Sequence, residues 1–272
     1  MATMIHRQGN QVDLDAATAA AHRVVTIHER LAAFLRCGQT LAQIDTFVAD
    51  QLRDLKCKSC FQHYKLPKLP PYPSFACLSP NDCIVHGTAG MTTEPMKPGD
   101  VLSIDIGVLY QGWIGDAAWT YVFKETDELK QRLMNCGKEC LKRGVKELRP
   151  GNSFRDWAEA VQNHAERECG FHLTRGLCGH GIGRKLHLPP NIPNTVEECS
   201  HFMPRIQPGL LVAVEPMISV GTPLKREEPK QWPIWTADGS LAVHYEHDVY
   251  VDEDGPIVLT EKLHELPDVV DA

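Results

Sequence analysis

The sequence predicts an α+β fold made of two matched halves, each a pair of helices followed by strands that end near an acid. Three observations carry this reading. Val101 to Phe123 is two β-branched and aromatic runs meeting at Gln111-Gly112, a hairpin pattern with glycine available for a positive φ at the turn. Apolar residues recur at helical spacing in two separate pairs of segments. The helical break Gly38-Gln39-Thr40 is matched 113 residues later by Gly151-Asn152-Ser153, and Pro98-Gly99 is matched 110 residues later by Pro208-Gly209. Two features repeated in one order indicate an internal duplication, with pseudo-repeats at about residues 13–123 and 124–260. Such a body places the acids of both halves at its middle.

Taken in order, residues 1–12 read as a polar arm ahead of one domain over 13–272. Leu14 to about Cys37 is a helix with apolar positions at Val24, Ile27, Leu31, Phe34 and Leu35, and Gly38 is its expected C-cap. Thr40 is the N-cap of a second helix, Leu41 to about Leu55. Cys57 to Pro80 holds KLPKLPPYP, whose prolines exclude regular structure and imply a fixed wall or loop. Glu125 to about Leu148 and Phe154 to about Cys169 form the second helix pair. Gly209–Gly221 and Leu241–Val251 read as strands, the latter with Ala242, His244, Glu246 and Asp248 on one face.

Bulk composition narrows the classes of function. Of 272 residues, 43% are hydrophobic and 23% charged, ordinary values for a water-soluble globular chain. A net charge of -7 argues against nucleic acid or an anionic membrane as the main partner. The first residues hold no apolar run of signal-peptide length, and nowhere is there the run of about 18 apolar residues that a span requires. The expectation is a cytoplasmic protein whose ten cysteines are reduced thiols. Cys57-x-x-Cys60, completed by Cys77 or His63, is a separate candidate for structural zinc, but it lacks a second CxxC.

The chemistry concentrates in four stretches. If Gln111-Gly112 is the hairpin loop, Tyr110 pairs with Trp113 and Gly107 with Asp116, so Asp105 is a diagonal neighbour of Asp116 on one face. Like charges that close, on an apolar frame, need a proton or a cation between them. Glycines around His180 in GHGIGRKLH let the backbone approach closely, and His187 follows seven residues on. Glu215 is the only charge in GLLVAVEPMISVG, and Glu246 lies in LAVHYEHDVYV. Together Asp105, Asp116, His180, Glu215 and Glu246 are one imidazole and four carboxylates. That set suits two divalent ions such as Co, Mn, Fe or Zn and is too poor in sulfur for a structural zinc. Two such ions activate a water and polarise a carbonyl.

At these residues the chain resembles a type I methionine aminopeptidase of the pita-bread fold, in the M24 family of metallopeptidases. The likeness rests on Asp105 and Asp116 eleven apart, His180 and His187 seven apart in GHGIGxxxH, Glu215 in VEPM, Glu246 in YEH, and NDCIVHG at 81–87. It covers about residues 14–260. It implies pseudo-two-fold helix pairs around a curved antiparallel sheet, and removal of the initiator methionine from nascent chains. By the same resemblance Asp105 chelates one ion, Asp116 and Glu246 bridge both, and His180 and Glu215 complete the other. Glu215 shuttles the proton of the nucleophilic water, His86 faces the substrate's first residue and the scissile amide, and His187 stabilises the carbonyl oxygen. Tyr72, Cys77 and Trp235 are the expected pocket residues. The family implies a monomer with transient ribosome contact.

Several positions depart from the family's pattern: HGTAG at 86–90 lacks the proline usual after HGI, Gly107, Ala118 and Ala213 lack hydroxyls, and His244, Asp248 and Leu186 replace the usual residues. None is a ligand, so specificity is where their effect falls. Proline-specific aminopeptidases and dipeptidases share the ligands but usually carry a large N-terminal domain. A type II enzyme needs an insert for which there is no room between His187 and Glu215. A non-catalytic binding protein of the same fold typically lacks ligands that are all present here.

Overall fold

In the computed structural model, which describes residues 12–272, both helix pairs form and the hairpin lies against the first of them. Of the polar arm, residues 1–11 lie outside the described residues. The first half holds α1 (Leu14–Phe34), α2 (Leu41–Asp54), β1 (Lys58–Ser59), β2 (Cys77–Pro80), β3 (Cys83–Val85), β4 (Val101–Tyr110) and β5 (Trp113–Phe123). The second half begins with α3 (Glu128–Val145), α4 (Phe154–Gln162), β6 (His172–Leu173), β7 (Cys178–Gly181) and β8 (Leu188–Pro193). There follow β9 (Leu210–Val214), β10 (Met217–Ser219), β11 (Lys225–Glu227), β12 (Ile234–Thr236), β13 (Ala242–His244), β14 (His247–Val251), β15 (Pro256–Val258) and β16 (Val269–Val270).

Helix ends follow local chemistry. Asp13 caps α1 by accepting from the Ala16 N–H at 3.1 Å. The helix stops at Phe34 because Leu35 turns extended and buries its side chain completely, so Gly38 is not the cap. Its φ of +88° instead serves the turn into α2, where Thr40 and Gln43 form a reciprocal capping box. The third helix starts three residues later than expected, at Glu128, where the Asp127 side chain accepts from the Lys130 N–H at 2.9 Å. The fourth leaves α geometry early: Asn163–Glu168 is a π-helical turn.

The hairpin has the expected register, with Tyr110 opposite Trp113, Gly107 opposite Asp116, and both Gln111 and Gly112 at positive φ. Strand pairing is antiparallel except between β5 and β16. The strands expected over 209–221 and 241–251 are each broken at an acid. The segments before and after these breaks belong to different sheets: β9 pairs β14, while β10 pairs β13. Pro216 has no N–H to donate, so the ladder cannot run on past Glu215. Across the gap the Glu246 N–H instead donates to the Ala118 carbonyl on β5 at 2.9 Å. The four central acids are thereby brought together from the hairpin and from two strand breaks.

Two packing contacts hold this centre in place. The α1 face of Ala20, Ala21, Val24, Ile27 and Leu31 is buried against the hairpin. On the other side Gly137 of α3 lies under the Tyr245 ring, where a Cβ would come within 2.4 Å of Cδ2. That ring meets Trp119 edge-on at 4.8 Å, and both side chains are fully buried. Alanine at 137 improves helix propensity by about 1 kcal/mol but forces Tyr245 to move in a close-packed core, at about 1–3 kcal/mol. Gly137→Ala is therefore expected to lower the denaturation midpoint in urea. A midpoint at or above wild type would mean the contact is not tight.

Candidate metal centre

The chemistry on the hairpin starts with Asp105 and Asp116, whose carboxyls meet across β4 and β5. Asp116 is buried, and its backbone N–H donates to Asp248 Oδ2 at 2.8 Å. Glu246 is buried at the break between β13 and β14, and Glu215 stands between β9 and β10. His180 reaches in from β7. Its Nδ1 is 3.0 Å from the Gly181 carbonyl, which can only accept, so Nδ1 carries the hydrogen and Nε2 of the neutral ring is bare. That nitrogen lies 3.7 Å from Glu215 Oε1 and 4.0 Å from Asp116 Oδ2, beyond ordinary hydrogen bonds.

Ligand atoms of Asp116, His180 and Glu246 lie within 4.8 Å of one another, and so do those of Glu215, His244 and Glu246. The two clusters share Glu246. Asp105 Oδ1, Asp116 Oδ1, Asp248 Oδ1 and His244 Nε2 are buried without a hydrogen-bond partner. His244 Nε2 is 3.3 Å from Glu215 Oε2 but badly aligned for a bond. Buried polar atoms are almost always satisfied, so this concentration of orphaned oxygens beside the His180 and His244 rings fits divalent cations. Among the described residues Cys57 and Cys60 join no such cluster.

Electrostatics point the same way. Burial lifts both Asp105 and Glu215 to about 7; Glu215 raises Asp105 further, while His244 opposes the shift on Asp105 and His180 that on Glu215. Asp116 and Glu246 go well above the carboxylate range, first through burial and then through neighbouring acids. Asp248 is also raised by burial, offset in part by the Asp116 N–H. Burial lowers the histidines: His86 and His244 to about 4, and His180 and His187 below the usual value. Neutral imidazoles and costly carboxylates are the state that a cation relieves.

A cleft of about 560 Å³ is lined by Leu66, Leu69, His86, Trp232 and Ile234 among others. His187 packs edge-on to His180 at 4.5 Å, with Nδ1 2.6 Å from the Tyr64 hydroxyl. Tyr72 is buried; its hydroxyl donates to the Gly87 carbonyl at 2.6 Å, next to His86. Cys77 pairs with Asp105 across β2 and β4. Trp235 is placed apart from these residues, on β12 opposite Cys83, with the Arg226 guanidinium 4.7 Å from its ring centre. Trp232, in the loop before β12, is the tryptophan that meets Tyr72 at 5.1 Å and His86 at 6.2 Å. Its Nε1 donates to the Pro70 carbonyl at 2.9 Å and so pins the proline-rich wall. Nothing in QWPIW distinguishes the two tryptophans; Tyr64 likewise carries no signal beyond lying in the irregular segment.

The departures have local accounts in two places. At Gly107 a Cβ would meet the Phe61 ring at 2.6 Å, so Phe61 fills the space a larger residue would need. Asp248 accepts the Asp116 N–H, and its own N–H donates to Thr260 Oγ1 at 3.2 Å.

The chain is similar to known proteins over most of its length. The model of metallopeptidase family M24 matches residues 15–253. Methionine aminopeptidase of Aquifex aeolicus is 33% identical over 253 residues, 93% of this chain and 97% of that protein. Methionine aminopeptidase 1 of Mycobacterium tuberculosis is 34% identical, over 91% of this chain and 92% of that protein. The crystal structure of methionine aminopeptidase from Thermotoga maritima superposes with a TM-score of 0.84 at 31% identity, covering 91% of this chain and 96% of that one. An X-Pro aminopeptidase from Thermotoga maritima, at 18% identity and a TM-score of 0.73, shares the fold alone. The architecture is the pita-bread fold, and the chain belongs to metallopeptidase family M24.

Proposed function

We propose that the protein is a metallo-aminopeptidase that removes the N-terminal methionine from new proteins and peptides, with two divalent ions held at the hairpin. The observation that carries this is the convergence of Asp116, His180, Glu215 and Glu246 in two overlapping groups of ligand atoms that share Glu246, with Asp105 Oδ1 and Asp116 Oδ1 left without partners beside them. Asp105, Asp116 and Glu246 would hold one ion, and Asp116, His180, Glu215 and Glu246 the other. The donors accept Co, Mn, Fe or Zn. Bound ions would supply Lewis acidity toward a water and the scissile carbonyl. Glu215, beside the ion it helps to hold, would take and return the water's proton. His187, steadied by Tyr64, donates toward the carbonyl oxygen as charge develops on it. His86 faces the first residue of the substrate, between Trp232 and the cleft.

Tyr72, Cys77 and Trp232 line the side-chain pocket, in a wall of buried apolar surface that suits an unbranched thioether. The domain over 13–272, action as a monomer in the cytoplasm and transient ribosome contact belong to the same proposal. No helix among the described residues is long and apolar enough to cross a membrane.

Three outcomes test it. Met-Ala-Ser should be cleaved and Ala-Pro-Gly not, with cleavage lost to a chelator. The reverse preference would indicate a proline-specific enzyme, and no chelator-sensitive cleavage of either would indicate a binding protein. Asp116→Asn should abolish turnover along with metal binding, whereas His187→Ala should lower kcat by about 10²–10³-fold with metal content intact. Loss of metal in the His187 variant would contradict its assigned role. The third outcome concerns pH. Asp105 and Glu215 titrate near 7 in the folded chain and near their ordinary values unfolded, so between about 4 and about 7 the folded state binds more protons. Their contribution therefore falls as pH rises through that window in metal-free protein. Added metal should raise Tm more at the upper end of the window than at the lower, as read by thermal scans; a pH-independent gain would count against these ligands.

A further inference from the structure

A second cluster of ligand atoms lies away from the hairpin. Cys136 on α3, and His164 and Cys169 at the π-helical turn, bring two sulfurs and a ring nitrogen within 4.8 Å of one another. They line a cavity of about 370 Å³ together with Arg132, Glu139 and Glu168. The π turn is what makes the meeting possible. Its register bonds the Cys169 N–H to the His164 carbonyl at 3.0 Å, so residues five apart share one face. In an α-helix, positions five apart diverge. Single π turns occur frequently at functional sites.

The orientation of His164 sets this cluster apart from ordinary buried thiols. Glu168 Oε2 lies 3.0 Å from Nδ1, and a carboxylate there takes the ring hydrogen, leaving the Nε2 lone pair facing Cys169 Sγ at 3.5 Å. A carboxylate behind the far nitrogen of a histidine is the usual support of a metal ligand. The sulfur–nitrogen distance also fits. Two ligands at about 2.3 and 2.0 Å from a tetrahedral ion lie about 3.5 Å apart. Arg143 fixes Glu168 in turn through Nη1, at 2.7 and 2.8 Å from its two oxygens. Cys140 is in contact with Cys136 but donates to the Val161 carbonyl, so the fourth position falls to solvent from the cavity.

We propose that Cys136, His164 and Cys169 form a thiophilic metal site for Zn²⁺, separate from the peptidase centre, that ties α3 to the π turn. Binding converts both thiols to thiolates and releases two protons to solvent, which leaves the ion and its two sulfurs neutral together. The softness of the donor set separates the two centres, since no sulfur is among the proposed peptidase ligands.

Cobalt(II) titration of the reduced whole protein tests this. Sulfur-to-cobalt charge transfer gives an intense near-ultraviolet band that oxygen and nitrogen ligands do not give. We expect the band in wild type and in Asp116→Asn. It should be lost in Cys136→Ala/Cys169→Ala, which should bind one equivalent of zinc fewer and cleave Met-Ala-Ser at the wild-type rate. Zinc should also protect Cys169 of the wild-type protein from alkylation, a reading that needs no variant to fold. No band in wild type would overturn the proposal, and so would a band that survives the double substitution. Unprotected alkylation of Cys169 at saturating zinc would do the same.

Discussion

Four carboxylates, Asp105, Asp116, Glu215 and Glu246, stand close together where little water reaches them, with Asp248 immediately behind. Each like charge added to such a space raises the cost of ionising the next, and an unpaired buried carboxylate costs several kcal/mol. Much of the architecture answers that problem. The hairpin register sets two acids on one face. The two strand breaks turn backbone aside at Glu215 and Glu246, so that these side chains reach the centre while β9, β10, β13 and β14 keep their ladders. His180 presents a bare nitrogen because a carbonyl holds its other one.

The surroundings stiffen this arrangement rather than neutralise it. Asp248 is anchored by the Asp116 N–H and Thr260, Glu246 by the Ala118 carbonyl, and the Glu215 carbonyl by Asn194 Nδ2 at 2.9 Å. These bonds fix where the acids point but leave four buried polar atoms open. Held geometry with unmet demand is what a preorganised cation site requires. The same division appears beside the centre, where Tyr64 steadies His187 and Trp232 pins the proline-rich wall.

The π-helical turn adds a contrasting environment in the same chain. Sulfur and a carboxylate-backed imidazole collect there, while hard oxygens collect at the hairpin. The two donor sets, one rich in sulfur and one in carboxylate oxygen, stand on separate elements and differ in softness.

What the sequence determined by itself was whatever depends on neighbours close along the chain. The Gln111-Gly112 turn and strict alternation set the Asp105–Asp116 pairing, helical periodicity placed the four helices, and Thr40 with Gln43 marked a cap. The family motifs also marked the acids and the histidine proposed as ligands. Tertiary structure decided what depends on distant segments meeting. The break after Glu215 is visible as Pro216, but the matching break at Tyr245-Glu246 carries no local mark, because it arises where β5 takes the Glu246 N–H. That Trp232 rather than Trp235 meets Tyr72 and His86 depends on a loop packing against Pro70. The π turn that joins His164 to Cys169 reads as plain helix in the sequence, since its hydrogen-bond register differs from α geometry by a single residue while its consequence is set by the helix packed across from it.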